Sequence, residues 1–352
     1  MHLKTDLLLT PPNLNNHQKN WKRNIFGLAI SIACLIVIFR QINYSEVRSA
    51  ILNFQWAYLC VGIISLTFGY SLRILRWSVL LKSAGAGISP TKCIAPFLGS
   101  ITLNNILPMR LGDVIRALVF PSSIGVEKII AAGSLVMERL VDLMTLLTCL
   151  AIGHAVNPAI QFPDWLTKVS LSFASIGGVS LMLLFLFSGY LSNWCARLII
   201  SDTKVQNKFG RIMQKILTVL SELLGSFAAM SRFSILLKLF VLSMLVWVGE
   251  AGLFWSLLLG FGFDVRPEIA LFVMAMTTLS TLVPSSPGYV GPFHLAAFTA
   301  ISILGGTSAQ AASYAVLAHL SVWLPTTLAG AIAILLNPQL FGSAKLKVTT
   351  SL

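Results

Sequence analysis

Charged residues are scarce in this sequence of 352 residues, where Asp, Glu, Lys and Arg together make up only 11%. Soluble domains carry roughly a quarter of their residues as charged side chains. Apolar residues instead make up 56% of the chain, and the mean hydropathy is +0.83. The composition therefore excludes an ordinary soluble domain and predicts a polytopic membrane protein.

Acidic residues are the scarcer charged class, with 12 Asp and Glu against 25 Lys and Arg, which gives a formal net charge of +13. A strongly basic balance also occurs in nucleic-acid-binding proteins. Here, however, the basic residues lie between apolar spans, and no basic-aromatic binding module accompanies them. We therefore expect no nucleic-acid partner and take the anionic membrane surface as the counter-charge.

Cysteine is rare as well. The five cysteines fall singly, with no CxxC or Cys/His ligand spacing, so the sequence predicts neither a disulfide framework nor a metal site. A DxD-like acidic pair is also missing, and spacing alone identifies no Ser/His/Asp or Cys/His arrangement. We accordingly expect no catalytic residue and no cofactor.

Six apolar runs predict full spans in an all-α polytopic membrane helix bundle. They cover about 25–39, 56–72, 127–155, 166–187, 236–259 and 311–336. The first run resembles a signal peptide, but Arg40 and Gln41 follow it directly without a small-residue cleavage site, which favours a retained helix. The membrane domain is then 24–339, between cytoplasmic tails at 1–23 and 340–352.

The stretch 93–120 places polar residues inside strongly apolar sequence, and Pro108 and Gly112 interrupt it. Non-helical backbone at membrane depth is tolerated only where protein or a watery cavity satisfies it. We therefore expect a broken, re-entrant hairpin that lines a polar cavity; an ordinary polar loop with short interfacial helices is the alternative. The polar positions are Asn104, Asn105, Arg110, Asp113 and Arg116.

A second interrupted stretch, 269–304, breaks at VPSSPGYVGPFH, residues 283–294. Its prolines and glycines cannot sit in a continuous helix. We expect an unwound turn whose backbone groups help to coordinate a lipid headgroup, and a turn that merely allows tight packing is the alternative. The residues that shape this turn are Pro284, Ser285, Pro287, Gly288 and Gly291.

Basic clusters favour the cytoplasmic side of a membrane. The segment 190–235 is basic, and its apolar residues recur every three or four positions, which predicts an amphipathic helix on the cytoplasmic surface or one packed on a partner. Arg73 and Arg76, which we expect at the end of the second span, form another basic cluster and should also lie on the cytoplasmic side.

The basic clusters determine the expected topology. Every cluster lies on the cytoplasmic side if 93–120 enters the membrane from the cytoplasm and returns to it. Segment 269–304 then enters from the outside and returns there. Two opposed hairpins are typical of transporters built from inverted repeats. The two halves of this sequence, however, show no convincing repeat.

Three motifs follow one another in the order NNILPMRLGDVIRALVF, MERLVDLM and LVPSSPGYVGPFH. Together they resemble the membrane domain of the lysylphosphatidylglycerol synthase/flippase-like family. That family includes the flippase half of bacterial multiple peptide resistance factors and membrane regions of archaeal dolichol-linked glycosyltransferases. The resemblance implies a flippase-like protein of the bacterial inner membrane that translocates a lipid or lipid-linked substrate.

The chain departs from this family at His294, where the family often has a carboxylate. It also has no room for the soluble aminoacyl transferase domain of the full synthases, so we do not expect lysine transfer. His294 and His319 are interpreted as polar packing groups rather than ligands.

Arginine suits a lipid phosphate because its guanidinium offers planar, bidentate donors and stays charged when desolvated. We expect Arg110 and Arg116 to bind that phosphate. The acids near them, together with Arg139, hold the arginines in place, and a purely structural ion network is the alternative. Those acids are Asp113, Glu138 and Asp142. Glu250 either accepts a proton in a coupled cycle or hydrogen-bonds to the broken hairpin.

These observations leave more than one function open. A translocase for a phospholipid or a polyprenyl-phosphate-linked lipid is the first. A membrane-embedded glycosyl- or acyl-transferase that uses the same cavity is the second. A non-transporting subunit that assists a lipid-modifying enzyme partner is the third.

The placement of the basic clusters generates a prediction about topology. In a cysteine-free background, Asn207→Cys and Lys347→Cys are expected to be shielded from a membrane-impermeant thiol reagent in intact cells, because both positions lie in basic cytoplasmic segments. Asp164→Cys is expected to react. Labelling at Asn207 would contradict the re-entrant scheme.

Overall fold

The computed structural model describes residues 16–156, 187–198 and 208–342, together with positions 168, 172, 175, 176, 179 and 183. All regular structure in this part of the chain is helical, which confirms the all-α class. Several predicted segments lie wholly or partly outside the described residues. They are the two terminal tails, most of the span 166–187 and the middle of the basic segment 190–235.

Within the described part, we label twelve helices in chain order. They are α1 (Asn16–Phe39), α2 (Tyr44–Leu52), α3 (Trp56–Ser83), α4 (Pro90–Ile106), α5 (Leu111–Leu118), α6 (Pro121–Ile124), α7 (Lys128–Val156), α8 (Lys208–Met230), α9 (Phe233–Gly260), α10 (Pro267–Ser280), α11 (Pro292–Ile303) and α12 (Ser308–Leu336). Residues 187–198 are helical as well.

Three of the described helices, α3, α9 and α12, are long and apolar enough to cross a membrane. Helices α1 and α2 would together supply a fourth span, bent by 87° between them. Helices α1, α3, α9 and α12 cover four of the six apolar runs that the sequence identifies, and α7, which covers a fifth, is not among these candidate spans. Helix α3, however, continues past residue 72 to Ser83 and carries Arg73 and Arg76 in its interior, both buried. The expectation that these arginines form a cytoplasmic cluster at the end of the span is therefore wrong.

The outer face of α12 is a continuous apolar stripe. Val316, Leu320, Leu324, Leu328 and Ile332 recur every four residues and are each between 44% and 54% exposed. Residues four apart lie on the same face of a helix. An exposed apolar stripe of this length indicates a surface in contact with lipid.

Helices α3 and α9 pack closely because small residues face one another across the pair. A Cβ added at Gly249 would lie 2.8 Å from the Cα atom of Gly69. The Ser65 hydroxyl donates a 2.7 Å hydrogen bond to the Gly249 carbonyl. Small residues let helix backbones approach closely in membranes, and this contact brings Arg73 of α3 beside Glu250 of α9.

The first interrupted stretch is a broken hairpin, as predicted. Pro96 is accommodated inside α4, and the chain breaks only at Pro108–Arg110, where Met109 (φ 62°) and Arg110 (φ 53°) adopt left-handed conformations. Helix α5 then folds back on α4. Gly112 makes this possible, because a Cβ there would collide with the Ser100 carbonyl.

The second interrupted stretch also breaks where the prolines and glycines predict. Helices α10 and α11 are separated by residues 281–291, with positive φ at Gly288 (72°), Tyr289 (61°) and Gly291 (102°). Gly291 lies against the backbone of Ser31 in α1, and the Ser31 hydroxyl accepts a hydrogen bond from the Ser286 N–H. The turns of the two broken hairpins contact each other.

The C-terminal part of α8 packs against other helices of this chain. Leu224, Phe227 and Met230 are buried in a cluster with Met137 of α7 and Leu239 of α9. Of the face that the three- and four-residue spacing predicts, Phe227 is buried, whereas Ile216 and Leu220 are 54% and 41% exposed. Helix α8 therefore rests on the bundle through its C-terminal part.

The close contact between α3 and α9 generates a prediction about stability. Gly249→Ala should lower the free energy of unfolding by about 1–3 kcal/mol, because the added methyl group meets backbone atoms that cannot move aside. Gly87→Ala is the matched control, since no atom lies within 4 Å of its Cβ position. Thermal unfolding in detergent, followed by tryptophan fluorescence, measures both. Equal midpoints for the two variants would contradict the packing argument.

Candidate functional site

A cluster of ionised side chains lies where α3, α5, α7 and α9 meet the turn of the first hairpin. Charges inside a membrane are costly and persist where they are paired or serve a function. The cluster contains five arginines and four carboxylates: Arg73, Arg76, Arg110, Arg116, Arg139, Asp113, Glu138, Asp142 and Glu250.

Arg76 forms the deepest part of this cluster and is fully buried. Its Nη1 and Nη2 atoms donate to the two carboxylate oxygens of Asp142, at 2.6 and 3.1 Å. Nη1 also donates to the Ser243 hydroxyl at 2.7 Å. This two-pronged geometry is the strong form of a guanidinium–carboxylate pair, and it ties α3 to α7 and α9.

Arg116 is also deeply buried. Its Nη2 atom lies 3.2 Å from both carboxylate oxygens of Glu138, and its guanidinium contacts the rings of Phe97 and Trp77, 4.8 and 5.1 Å from their centroids. The structure thus places Arg116 behind the cavity walls described below. In this position it holds α5 against α7.

Arg73 and Arg139 face the open side of the cluster. Arg73 donates to Glu250 at 2.6 Å and lies 4.2 Å from the ring centroid of Trp247. Arg139 donates to Asp113 at 3.1 Å. Glu250 therefore pairs with an arginine of α3 and not with the broken hairpin.

Sequence reasoning missed Arg73 and Arg76 as members of the site. One feature of the sequence could have identified them. The two arginines are three residues apart, so they share a helix face, and Tyr70 and Trp77 lie beside them on it. Aromatic residues beside arginines at this spacing suit cation–π stacking inside a bundle.

Asn104 fixes the first hairpin. Its Nδ2 donates to Asp113 Oδ1 at 2.9 Å, and its Oδ1 accepts from the Asp113 N–H at 3.0 Å. Asn105 anchors the same helix to α12, where its Nδ2 donates to the hydroxyls of Thr326 and Thr327 at 3.2 and 2.9 Å. Both asparagines position the turn that carries Arg110.

Arg110 joins the two hairpin turns. Its Nη2 donates to the hydroxyl and the carbonyl of Thr281, at 2.9 and 3.3 Å, and its guanidinium lies 5.3 Å from the ring centroid of Tyr289. Among the described residues, no carboxylate lies within the 4.0 Å of a salt bridge to Arg110. Its backbone is also strained, since a left-handed conformation costs a residue with a side chain about 1–2 kcal/mol.

Two cavities meet at Arg110. The inner cavity, of about 130 Å³, is lined by charged and aromatic side chains, among them Arg73, Arg139, Glu250 and Trp323. The outer cavity, of about 600 Å³, is walled by both hairpin turns and by Leu28 of α1. The residues that line both are Asn104, Arg110, Thr281, Gly288 and Tyr289.

The second hairpin contributes backbone and small side chains to these walls. Pro284, Ser285 and Pro287 line the outer cavity. A Cβ on Gly288 would lie 3.1 Å from Trp323 Nε1, so only glycine fits there without displacement. Gly291, in contrast, lies against α1 and lines neither cavity.

His319 holds the Gly288 turn. Its Nε2 lies 2.7 Å from the Gly288 carbonyl oxygen, so this nitrogen carries a proton and donates it. The ring of His294 lies 4.6 Å from that of His319, and its Nδ1 accepts a 3.5 Å contact from the Gly291 N–H. Both histidines thus shape the turn, in agreement with a packing role.

Comparison with known proteins adds the family context. The model of the family described as lysylphosphatidylglycerol synthase TM region matches residues 24–330. The chain is similar to Glycosyltransferase AglD of Haloferax volcanii, at 23% identity over 89% of this chain and 54% of that protein, so it spans about half of that relative. It is also similar to the UPF0104 membrane protein of Methanothermobacter thermautotrophicus, at 22% identity over 88% of this chain and 92% of that protein.

The contrast between Arg116 and Arg110 generates a prediction. Arg116→Gln should lower the free energy of unfolding by about 3–5 kcal/mol, because it leaves a buried carboxylate without its partner. Arg110→Gln should cost about 1 kcal/mol or less, since only contacts to Thr281 and Tyr289 are lost. Chemical denaturation of the purified variants measures both losses. A larger loss for Arg110→Gln would contradict the division of roles.

Proposed function

The chain belongs to the lysylphosphatidylglycerol synthase TM region family, and on that premise we propose that it is an integral membrane lipid translocase. It moves a phosphate-bearing lipid or a lipid-linked sugar across the bacterial inner membrane. One observation carries this proposal: the outer cavity leads from an apolar, exposed mouth to the guanidinium of Arg110.

The mouth of the outer cavity is suited to a lipid rather than to a water-soluble ligand. Leu28, Met109, Leu282 and Val283 line it and are between 43% and 61% exposed. Exposed apolar side chains at a cavity entrance are stable where acyl chains cover them. A lipid can therefore keep its chains in the bilayer while its headgroup enters between the two hairpin turns.

Arg110 is the group that receives the phosphate. It is half-buried, and its present partner Thr281 is neutral. A phosphate oxygen is a stronger acceptor for a guanidinium than a hydroxyl or a carbonyl. The surrounding Asn104, Ser285 and Gly288 offer further polar contacts on the same wall.

The proposed topology has six full spans and two hairpins that enter from opposite sides, with both termini in the cytoplasm. Contact between the hairpin turns supports it, since transporters built from inverted repeats form their sites where broken helices meet near the membrane midplane. Exposure of the site then alternates as one hairpin moves against the other.

A glycosyltransferase is the second candidate, favoured by the name of the relative from Haloferax volcanii. Because this chain spans about half of that protein, the activity in the name can reside in the other half. Reconstitution into vesicles with a labelled lipid separates the candidates. Movement of unchanged lipid supports the translocase, whereas a chemically altered lipid supports the enzyme.

The role of Arg110 can be tested by substitution. Arg110→Lys should lower transport nearly as far as Arg110→Ala, because the ammonium group lacks the planar fork. The expected loss is about tenfold to a hundredfold, since a hydrogen bond to a charged group contributes about 1.5–3 kcal/mol. The measurement is lipid transport in proteoliposomes that contain equal amounts of each variant. Arg48→Lys, at an exposed position of α2, is the control. Full activity in both Arg110 variants would reject the assignment.

A further inference from the structure

The charge balance of the site indicates which headgroup it accepts. Building on the proposed function, we propose that the substrate carries one net negative charge: it is a phosphodiester whose headgroup is an uncharged polyol or sugar. The site discriminates against zwitterionic, cationic and doubly charged headgroups.

Each carboxylate of the cluster has a different arginine as its nearest partner, and longer contacts of 3.7–4.0 Å join these pairs into one network. The pairs are Arg73–Glu250 at 2.6 Å, Arg76–Asp142 at 2.6 Å, Arg116–Glu138 at 3.2 Å and Arg139–Asp113 at 3.1 Å. Within the described part of the cluster, Arg110 is the arginine without a carboxylate partner. The ionised site therefore carries one positive charge that no carboxylate balances.

That single charge sets the preferred charge of the ligand. Uncompensated charge is unfavourable where water is partly excluded, as it is around the half-buried Arg110. A phosphodiester with a neutral headgroup brings the site to zero. A doubly ionised phosphomonoester leaves an excess negative charge, a zwitterion leaves Arg110 unbalanced, and an aminoacylated lipid adds positive charge to it.

Among the described residues, the inner cavity offers no carboxylate that is free of an arginine partner to the amine of a ligand. Glu250 is the carboxylate on its wall, and Arg73 already occupies it. The arginines on this wall, Arg73, Arg110 and Arg139, carry hydrogen-bond donors and no acceptors. This wall therefore needs hydrogen-bond acceptors. Hydroxyl and ring oxygens supply acceptors without charge.

Aromatic side chains complete the inner cavity. Tyr70, Trp247, Tyr289 and Trp323 line it together with the amide of Asn105. Apolar ring faces beside a few fixed polar groups are typical of small-molecule sites. The volume of about 130 Å³ exceeds the roughly 10–15 Å³ needed for one water, so the cavity has room for a small headgroup.

Two sources share this chemistry: a glycerophospholipid with a glycerol headgroup, and a polyprenyl phosphoryl sugar. The test uses phosphatidylcholine vesicles containing the full chain and one trace fluorescent lipid, labelled on its hydrophobic tail. The probes are phosphatidylglycerol, a polyprenyl phosphoryl hexose, phosphatidylethanolamine, phosphatidic acid and lysyl-phosphatidylglycerol. Reduction of the outer-leaflet label by dithionite reports the rate at which each probe crosses.

We expect phosphatidylglycerol or the polyprenyl phosphoryl hexose to cross at least about tenfold faster than the other three probes, a difference of about 1.4 kcal/mol. The faster of these two identifies the source. Equal or faster movement of lysyl-phosphatidylglycerol, phosphatidylethanolamine or phosphatidic acid would overturn the inference.

A binding measurement separates this inference from the proposed function. Short-chain forms of the same lipids are added to the protein in detergent, and the shift of the thermal midpoint is recorded. If no probe crosses faster than in protein-free vesicles, the translocase proposal fails. The headgroup inference is then decided by binding alone: stabilisation chiefly by the singly charged phosphodiesters supports it, and any other order rejects it.

Substitutions that change the site charge provide the sharper test. Arg110→Gln removes the excess charge and should abolish the preference for phosphatidylglycerol over phosphatidylethanolamine. Glu250→Gln adds one positive charge and should move the preference toward phosphatidic acid. Arg48→Gln, exposed on α2, should leave the order of probes unchanged. A purely structural role for Arg110 predicts slower movement of all probes with the order preserved, and that result would overturn the inference.

Discussion

The pairing of buried charges is the constraint on which the rest of this structure depends. Four arginine–carboxylate pairs lie among helices whose outer faces are apolar, and none of those charges could remain there alone. Each pair joins different helices, so the network specifies which helix lies beside which. Close glycine contacts between α3 and α9 bring the paired groups within reach.

The two broken hairpins depend on this support. Met109, Arg110 and Tyr289 hold left-handed backbone conformations that side chains disfavour. The Asn104–Asp113 hydrogen bonds, the Arg139–Asp113 pair and the His319 contact to Gly288 hold the turns in place. Strain is thus concentrated where the two turns meet and where both cavities open.

The site divides its arginines between two tasks. Arg76 and Arg116 lie behind the cavities and hold helices together, whereas Arg73, Arg110 and Arg139 line the inner cavity. Only Arg110 lines the outer cavity as well. With this division the cluster can be structural in one part while another part binds an anion, as the proposed function requires, although the sequence left these two roles as alternatives.

Local chemistry determined the membrane class, the helical fold and the positions of both breaks, because hydropathy and the backbone limits of proline and glycine act within a few residues. The partners of the charged side chains could not be predicted in this way. Arg76 and Asp142 are 66 residues apart, and Arg73 and Glu250 are 177 apart. Helix packing alone therefore decided that Arg73 and Arg76 are buried, that Arg116 lies behind the cavity wall, and that Arg110 has no carboxylate partner among the described residues.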